Sequence, residues 1–180
     1  MAHAAQQKFF AWIAEQFPDH FVHCRVLDCG SLDVNGTLKP LFEHCNYIGV
    51  DQFAGPNVDV QTTVVDAPFE PGSFDTVVSA EMLEHDEEWR RSLRAMVTFL
   101  RPGGLLALST ATIGRAEHGT VETPEGADYP NAGVWSPGNY YRNLTEDEVL
   151  DTLDVDQVFC MWGVQVEDNH HDLYVWGLKR

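Results

Sequence analysis

With 180 residues, 44% of them hydrophobic, the chain suits one domain with a real core and leaves little room for a second. Eleven basic side chains stand against 28 acidic ones, a formal charge of −17. Such a surface repels phosphate backbones and argues against general nucleic-acid binding.

No run approaches the ~20 apolar residues of a membrane span. The N-terminal AHAAQQKFFAWIAEQF is broken by Gln, Lys and Glu, so neither a signal peptide nor a membrane partner is expected. The four cysteines (Cys24, Cys29, Cys45, Cys160) form no CxxC pair. They read as reduced thiols of a cytoplasmic protein, not as a disulfide frame or a zinc site.

In chain order, residues 4–17 carry Phe9, Phe10, Trp12, Ile13 and Phe17 at mostly helical spacing, and Pro18 ends that helix. CRVLDC (24–29) is a short apolar strand, and a short helix is expected within 37–45, starting near Lys39 because of Pro40. NYIGVD (46–51), VDVQTTVV (58–65) and FDTVVSA (74–80) are the next strands. Only residues 52–57 separate the second and third, too few for a crossover helix, so a bare loop is expected there.

DEEWRRSLRAMVTFL (86–100) is an amphipathic helix opened by acidic residues and stopped by Arg101-Pro102-Gly103-Gly104. Its Arg90, Arg91 and Arg94 read as solvated or ion-paired rather than as a basic patch. GLLALSTA (104–111) is a buried strand. LTEDEVLDTL (144–153) is a helix with a capping box, Thr145 at the N-cap and Glu148 three residues on. The strands 157–167 and 172–180 flank Asp168 and Asn169 and form an antiparallel hairpin. Alternating strands and helices indicate an open, mostly parallel α/β sheet with an antiparallel strand near the end.

Such sheets bind ligands at the carboxyl ends of their strands. Those ends carry Asp28-Cys29-Gly30, Asp51-Gln52, Asp66-Ala67 and Ser79-Ala80-Glu81, a constellation rather than a lone match. Asp51 stands 23 residues after Asp28, where an acidic side chain grips ribose hydroxyls. A dinucleotide's pyrophosphate needs a second glycine for close backbone approach, but the loop reads Gly30-Ser31-Leu32-Asp33-Val34-Asn35-Gly36. Leu32 blocks that approach, and Asp33 would add negative charge beside two phosphates. A nucleoside without phosphates fits better. S-adenosylmethionine (SAM) is one, with Asp28 meeting its ammonium and loop amides its carboxylate.

Five segments in order, VLDCGS, YIGVDQ, VVDAPF, FDTVVSAEMLEH and LRPGGLLALS, span residues 26–109. In these the chain resembles class I SAM-dependent methyltransferases of the type 11 kind. The resemblance implies a three-layer Rossmann-like sheet of about seven strands in the order 3-2-1-4-5-7-6, the last pair an antiparallel hairpin. It implies that Asp28, Cys29, Gly30 and Ser31 line the methionine end of SAM. Asp51 would take the ribose and Gln52 would lie beside the adenine. Asp66 and Ala67 would meet the adenine edge, and Glu81 and Met82 would line the pocket. The GSLDVNG form also resembles methyltransferases among sugar-modifying enzymes.

His85 ends EMLEH near the cofactor's reactive end in that fold. Histidine can take a proton near neutral pH, so His85 is the candidate catalytic base, with a structural role left open. Residues 112–143 are expected to form a substrate-facing insertion in a single domain spanning 1–180. Its Arg115, His118, Trp135, Tyr140, Tyr141 and Arg142 suit recognition; of these Trp135, Tyr140, Tyr141 and Arg142 are the candidate substrate residues. His170 and His171 would point to opposite faces of a strand, so no metal is expected there.

The function expected is methyl transfer from SAM to an oxygen of a small-molecule or sugar-like acceptor, with no nucleic acid and no membrane involved. An NAD-linked oxidoreductase and a non-catalytic SAM-binding partner protein remain as alternatives. The loop and the absence of a Tyr-x-x-x-Lys pair argue against the first. The segment SAEM stands where an amino-directed DNA methyltransferase would carry Asn/Asp-Pro-Pro-aromatic.

Overall fold

The structure, a computed structural model, describes residues 4–34, 36–124, 134 and 139–180. Seven strands form one sheet: β1 (Arg25–Cys29), β2 (Asn46–Asp51), β3 (Val60–Gln61), β4 (Phe74–Ala80), β5 (Leu100–Ala111), β6 (Phe159–Glu167) and β7 (Asp172–Lys179). Their order is β3-β2-β1-β4-β5-β7-β6, with β7 antiparallel to both β5 and β6. The helices are α1 (Ala4–Gln16), α2 (Trp89–Phe99), α3 (Glu146–Leu153) and α4 (Val155–Val158). No helix among the described residues is long and apolar enough to cross a membrane.

The strands are apolar on both faces because both faces are covered. Val26, Val78, Leu105, Ala107 and Tyr174 join Phe9, Phe10 and Ile13 of α1 in one core. Leu27, Val77, Leu106, Leu108 and Val175 meet Trp89, Leu93 and Met96 of α2 and Val149 and Leu153 of α3 in the other. Phe10, Ile13 and Leu93 are fully buried, and each stabilises the fold by about 1.5–3 kcal/mol relative to exposure. The sheet is thus the middle of three layers.

Several local expectations are sharpened. The capping box is present: Glu148 N–H donates to Thr145 Oγ1, and Thr145 N–H donates to a Glu148 carboxylate oxygen, each at 3.2 Å. The helix expected within 37–45 is only a 3₁₀ turn, Lys39–Leu41, because Pro40 supplies no N–H and by Asn46 the chain must enter β2. The third strand shrinks from eight residues to Val60–Gln61.

That shrinkage explains how the chain passes from β2 to β3 without a helix. Only Val50 and Asp51 pair with β3, so the chain retraces just the tip of β2. Asp59 pins the return, accepting from Gly49 N–H (2.8 Å) and donating its own N–H to the Gly49 carbonyl (2.9 Å). A Cβ on Gly49 would lie 1.8 Å from the Asn57 carbonyl oxygen, so only glycine allows this crossing.

Two cysteines distant in sequence meet. The Sγ atoms of Cys24 and Cys45 stand 3.1 Å apart beneath the start of β1.

Candidate active site

The strand order reverses between β1 and β4, and the main cleft opens there, at the carboxyl ends of β1, β2 and β4. From the β1 loop it receives Gly30, Leu32 and Val34, and from β2 and beyond Asp51, Gln52 and Phe53. Thr62, Thr63 and Val64 follow β3. Glu81, Met82, His85 and the acidic run Asp86–Glu88 follow β4.

Gly30 turns sharply out of β1 at φ +79°, a conformation that favours glycine. Its N–H and that of Ser31 donate to the Val50 carbonyl at 2.8 and 3.1 Å. Leu32 N–H donates to Asp51 Oδ2 at 3.3 Å, and Asp33 N–H to the Pro56 carbonyl at 3.1 Å. These amides are therefore engaged within the protein. The expectation that they greet a ligand's carboxylate does not fit this loop. Asp33 Oδ1 accepts from Gly36 N–H at 2.9 Å, which closes the turn that the missing glycine left open.

Asp28 is buried, and its Oδ2 accepts a 2.6 Å hydrogen bond from the Tyr47 hydroxyl. Burial pushes its carboxyl up to about 6, against the lowering effect of that bond. Asp28 lies with Ser31 and Gly30 around a small recess behind the cleft. The Cys29 side chain is directed into the α2-side core, so only its backbone borders the turn. Asp51 Oδ1 accepts from Phe53 N–H at 2.9 Å, and burial raises its carboxyl.

Asp66 and Ala67 are not among the cleft's lining residues; Thr62, Thr63 and Val64 take their place. Because β3 ends at Gln61, its carboxyl end falls earlier than the sequence implies. Thr63 Oγ1 then holds the Asp66 carboxylate at 3.0 Å in a local turn, exposed to solvent. Ala67 packs against the core.

Beyond β4 the backbone is strained: Glu81 adopts φ +52° in the left-handed region. Its carboxylate is buried, and Arg115 Nη2 lies 3.9 Å from Oε2. Burial, then the neighbouring Glu84 and Asp172, push the Glu81 carboxyl well above its usual range. His85 is buried to 6% exposure. Desolvation lowers it to about 4, so the ring is neutral at pH 7.

The described part of residues 112–143 folds onto this end of the sheet. Arg115 Nη1 donates to the His170 carbonyl (2.8 Å) and to Asp172 Oδ1 (3.3 Å). The rings of His118 and Tyr141 meet that of His85 at centroid distances of 5.0 and 5.4 Å. Tyr141 donates its hydroxyl to the Ala116 carbonyl at 3.2 Å. Arg142 instead ion-pairs with Glu148, at the start of α3, and its N–H donates to the Glu84 carbonyl at 2.9 Å; it anchors that helix. Tyr140 is half-buried near the acidic rim, with Asp86 and Glu87 within electrostatic reach. Trp135 lies outside the described residues.

Sequence reasoning missed Phe53, Thr62 and Thr63, and the meeting of His118 with His85. Phe53 directly follows Gln52, so its position was available. The His118 contact closes over 33 residues of chain and left no local signal.

The cleft fits SAM on its own chemistry. Gly30 crosses so close to Met82 that a Cβ on it would stand 2.5 Å from the root of that side chain, which brings the ends of β1 and β4 together at the cleft. Asp51 stands at the second strand end, where a ribose needs an acceptor. The acidic rim suits a sulfonium cation and opposes a pyrophosphate.

A family model described as a methyltransferase domain matches residues 1–172. A ubiquinone biosynthesis O-methyltransferase of Xanthomonas euvesicatoria is 40% identical over 127 residues, 67% of this chain and 48% of that protein. A tRNA U34 carboxymethyltransferase of Methylococcus capsulatus is 34% identical over 113 residues, 62% of this chain and 35% of that protein. The matched region thus spans about half or less of those relatives' length. Among solved structures, a Burkholderia thailandensis 1,6-didemethyltoxoflavin-N1-methyltransferase, with its substrate and S-adenosylhomocysteine bound, has a TM-score of 0.65 at 17% identity. It covers 96% of this chain and 77% of its own. The YcgJ protein of Bacillus subtilis has a TM-score of 0.63 at 14% identity and covers 99% of both chains. These two share the fold. Strand order and family match converge: the chain belongs to the methyltransferase-domain family, with the class I fold and SAM as its cofactor.

Proposed function

We propose that the chain transfers the SAM methyl group to an oxygen of a small-molecule or sugar-like acceptor. The observation that carries the reading is the cleft itself, which Gly30, Asp51, Gln52, Met82 and His85 all line. In the transfer the methyl carbon's bond to sulfur breaks as its bond to oxygen forms. Sulfur keeps the electron pair, and the acceptor's proton passes to solvent or a base.

Positioning supplies much of the rate, because an in-line displacement needs oxygen, carbon and sulfur aligned. Charge supplies part of the rest. SAM is a sulfonium and its product is not, so the rim Asp86–Glu88 attracts the substrate form more than the product. Asp28 meets the ammonium of the methionine end, and Asp51 the ribose hydroxyls.

His85 is the residue proposed to act on the acceptor's oxygen. Its neutral ring offers a lone pair, but the burial that keeps it neutral also makes it a weak base. Tyr141 stands beside it, where it can meet the acceptor. One relative acts on tRNA by name. The −17 charge and the acidic cleft rim favour a small acceptor instead.

Calorimetry with SAM comes first: no heat defeats the reading, and the NAD-linked alternative then predicts heat with NAD. A screen of small-molecule extracts with methyl-labelled SAM follows. Labelled product supports transfer, while SAM binding without any product leaves a non-catalytic SAM-binding partner. His85→Ala should lower turnover far more than SAM affinity, and unchanged turnover would remove His85 from the chemistry.

A further inference from the structure

Behind His85 the structure gathers three side chains whose free ends face one another. Glu84, His85 and His118 each present one ligand atom, and those atoms lie within 4.8 Å of one another. Glu84 is fully buried. Its Oε2 accepts a 3.0 Å hydrogen bond from Thr110 Oγ1, while Oε1 has no partner among the described residues. His85 Nδ1 is likewise buried without a partner. His118 Nδ1 lies 3.0 Å from the Ala116 carbonyl. A carbonyl only accepts, so Nδ1 carries the proton and Nε2 presents its lone pair.

A carboxylate oxygen and an imidazole nitrogen buried without partners cost free energy unless something satisfies them. We propose that Glu84, His85 and His118 bind one divalent first-row transition-metal ion, of the Zn²⁺ or Fe²⁺ class, at the inner wall of the cleft. Two histidines and one carboxylate are the ligand set of open divalent sites, which keep positions for water or substrate.

The geometry agrees. Imidazoles bound to one ion at ~2.0–2.1 Å, roughly a tetrahedral angle apart, bring their ring centroids to about 5 Å. The His85 and His118 rings stand 5.0 Å apart at 86°. Ligand atoms on one ion are roughly 3.3 Å apart, so the three must draw closer than the 4.8 Å within which they now lie.

The surroundings already hold the ligands. Thr110 orients Glu84 and the Ala116 carbonyl orients His118, as outer partners of metal ligands do. The segment carrying His118 is tied down where Arg115 N–H donates to the Thr112 carbonyl and Asn143 Nδ2 donates to the Arg115 carbonyl. Charge points the same way. Glu81 and Glu84 are buried at this end of the sheet, with Arg115 Nη2 3.9 Å from Glu81 Oε2. A divalent ion would place positive charge beside the buried Glu84 carboxylate.

The site's role, though not its binding, rests on the methyl-transfer reading. An ion at His85 lowers the pKa of an acceptor hydroxyl that reaches it. This is the task that a histidine of low basicity performs poorly.

The test is Co²⁺ titration of the chelator-treated full chain, followed by visible absorption and by metal analysis after gel filtration. One equivalent with a ligand-field band is expected. His118→Ala and Glu84→Gln should each weaken it by roughly tenfold or more, while His170→Ala, on the exposed β6–β7 turn, leaves it unchanged. Circular dichroism and SAM calorimetry on each variant report folding. If Glu84→Gln fails to fold, His118→Ala, in a surface-facing segment, carries the test. Absence of a band in the wild type, or an unchanged band in a folded His118→Ala protein, overturns the proposal. Co²⁺ binding without SAM binding would overturn the methyltransferase reading and leave the metal site standing. SAM binding without Co²⁺ binding would do the reverse.

Discussion

A Cβ placed on Gly30 would stand 2.5 Å from both Cβ and Cγ of Met82. Two cleft walls, from the ends of β1 and β4, thus touch through the one residue that has no side chain. Those Met82 atoms belong to the root of its side chain, so they cannot swing away. Gly30 also sits at φ +79°. Gly30→Ala should therefore cost more than ~1 kcal/mol of stability and weaken SAM binding by at least roughly tenfold, since 1.4 kcal/mol of misfit is a factor of ten. Calorimetry and urea unfolding of the variant check this; SAM affinity within twofold of the wild type would show that the contact is not limiting.

Asp28 gives a pH dependence. Its carboxyl takes up a proton near 6 in the free protein. SAM's ammonium is matched by the carboxylate, so SAM affinity should fall as pH drops below about 6. The Tyr47 hydroxyl bond is the main effect lowering that value, so Tyr47→Phe should move the midpoint to higher pH. The stability sign is the reverse of a salt-bridged aspartate. The folded value lies above the ordinary 3.8, so the contribution to folding is complete below that and is lost as pH rises through about 6. A SAM titration series from acid to neutral pH reads the wild type and Tyr47→Phe, and a flat wild-type profile would remove Asp28 from the ammonium site.

Lys179 closes the end of α2. Its Nζ donates to the carbonyls of Val97 (2.8 Å), in the last turn of α2, and Leu100 (2.7 Å), the first residue of β5. Lys179→Met should cost about 1.5–3 kcal/mol, the range for hydrogen bonds to a charged group. SAM affinity should be unchanged, because these contacts lie at the amino ends of the parallel strands, opposite the cleft at their carboxyl ends. Chemical denaturation and calorimetry together separate the two effects.

The thiols should differ in reactivity. Cys160 is exposed. Burial, then the neighbouring Cys45, push the Cys24 thiol up to about 12, and burial holds Cys29 well above its usual value. Thiolate is the reactive form. One thiol per native chain should react rapidly with a disulfide reagent at mildly alkaline pH, and Cys160→Ser should abolish that phase. A rapid phase surviving in the variant would contradict this burial pattern.

The sequence by itself determined the elements whose signals are local. The alternation of apolar strands with an amphipathic helix set the sheet, because β1, β4 and β5 must be apolar on both faces to be covered on both. Thr145 and Glu148 announced the start of α3, since a capping box needs only four consecutive residues. Gly30 and Asp51 were legible as cleft residues because strand ends, not packing, place them. What tertiary structure alone decided are the meetings across long loops. Asp66 looked like an adenine contact until the shortness of β3 folded it away from the cleft. Cys24 met Cys45, and Tyr47 met Asp28, through the pairing of β1 with β2. His118 reached His85 and Glu84 only because the segment after β5 is tied back to β7 by Arg115. Periodicity records which face a residue takes on its own element; which distant face it then meets is set by the register of strands and the path of loops.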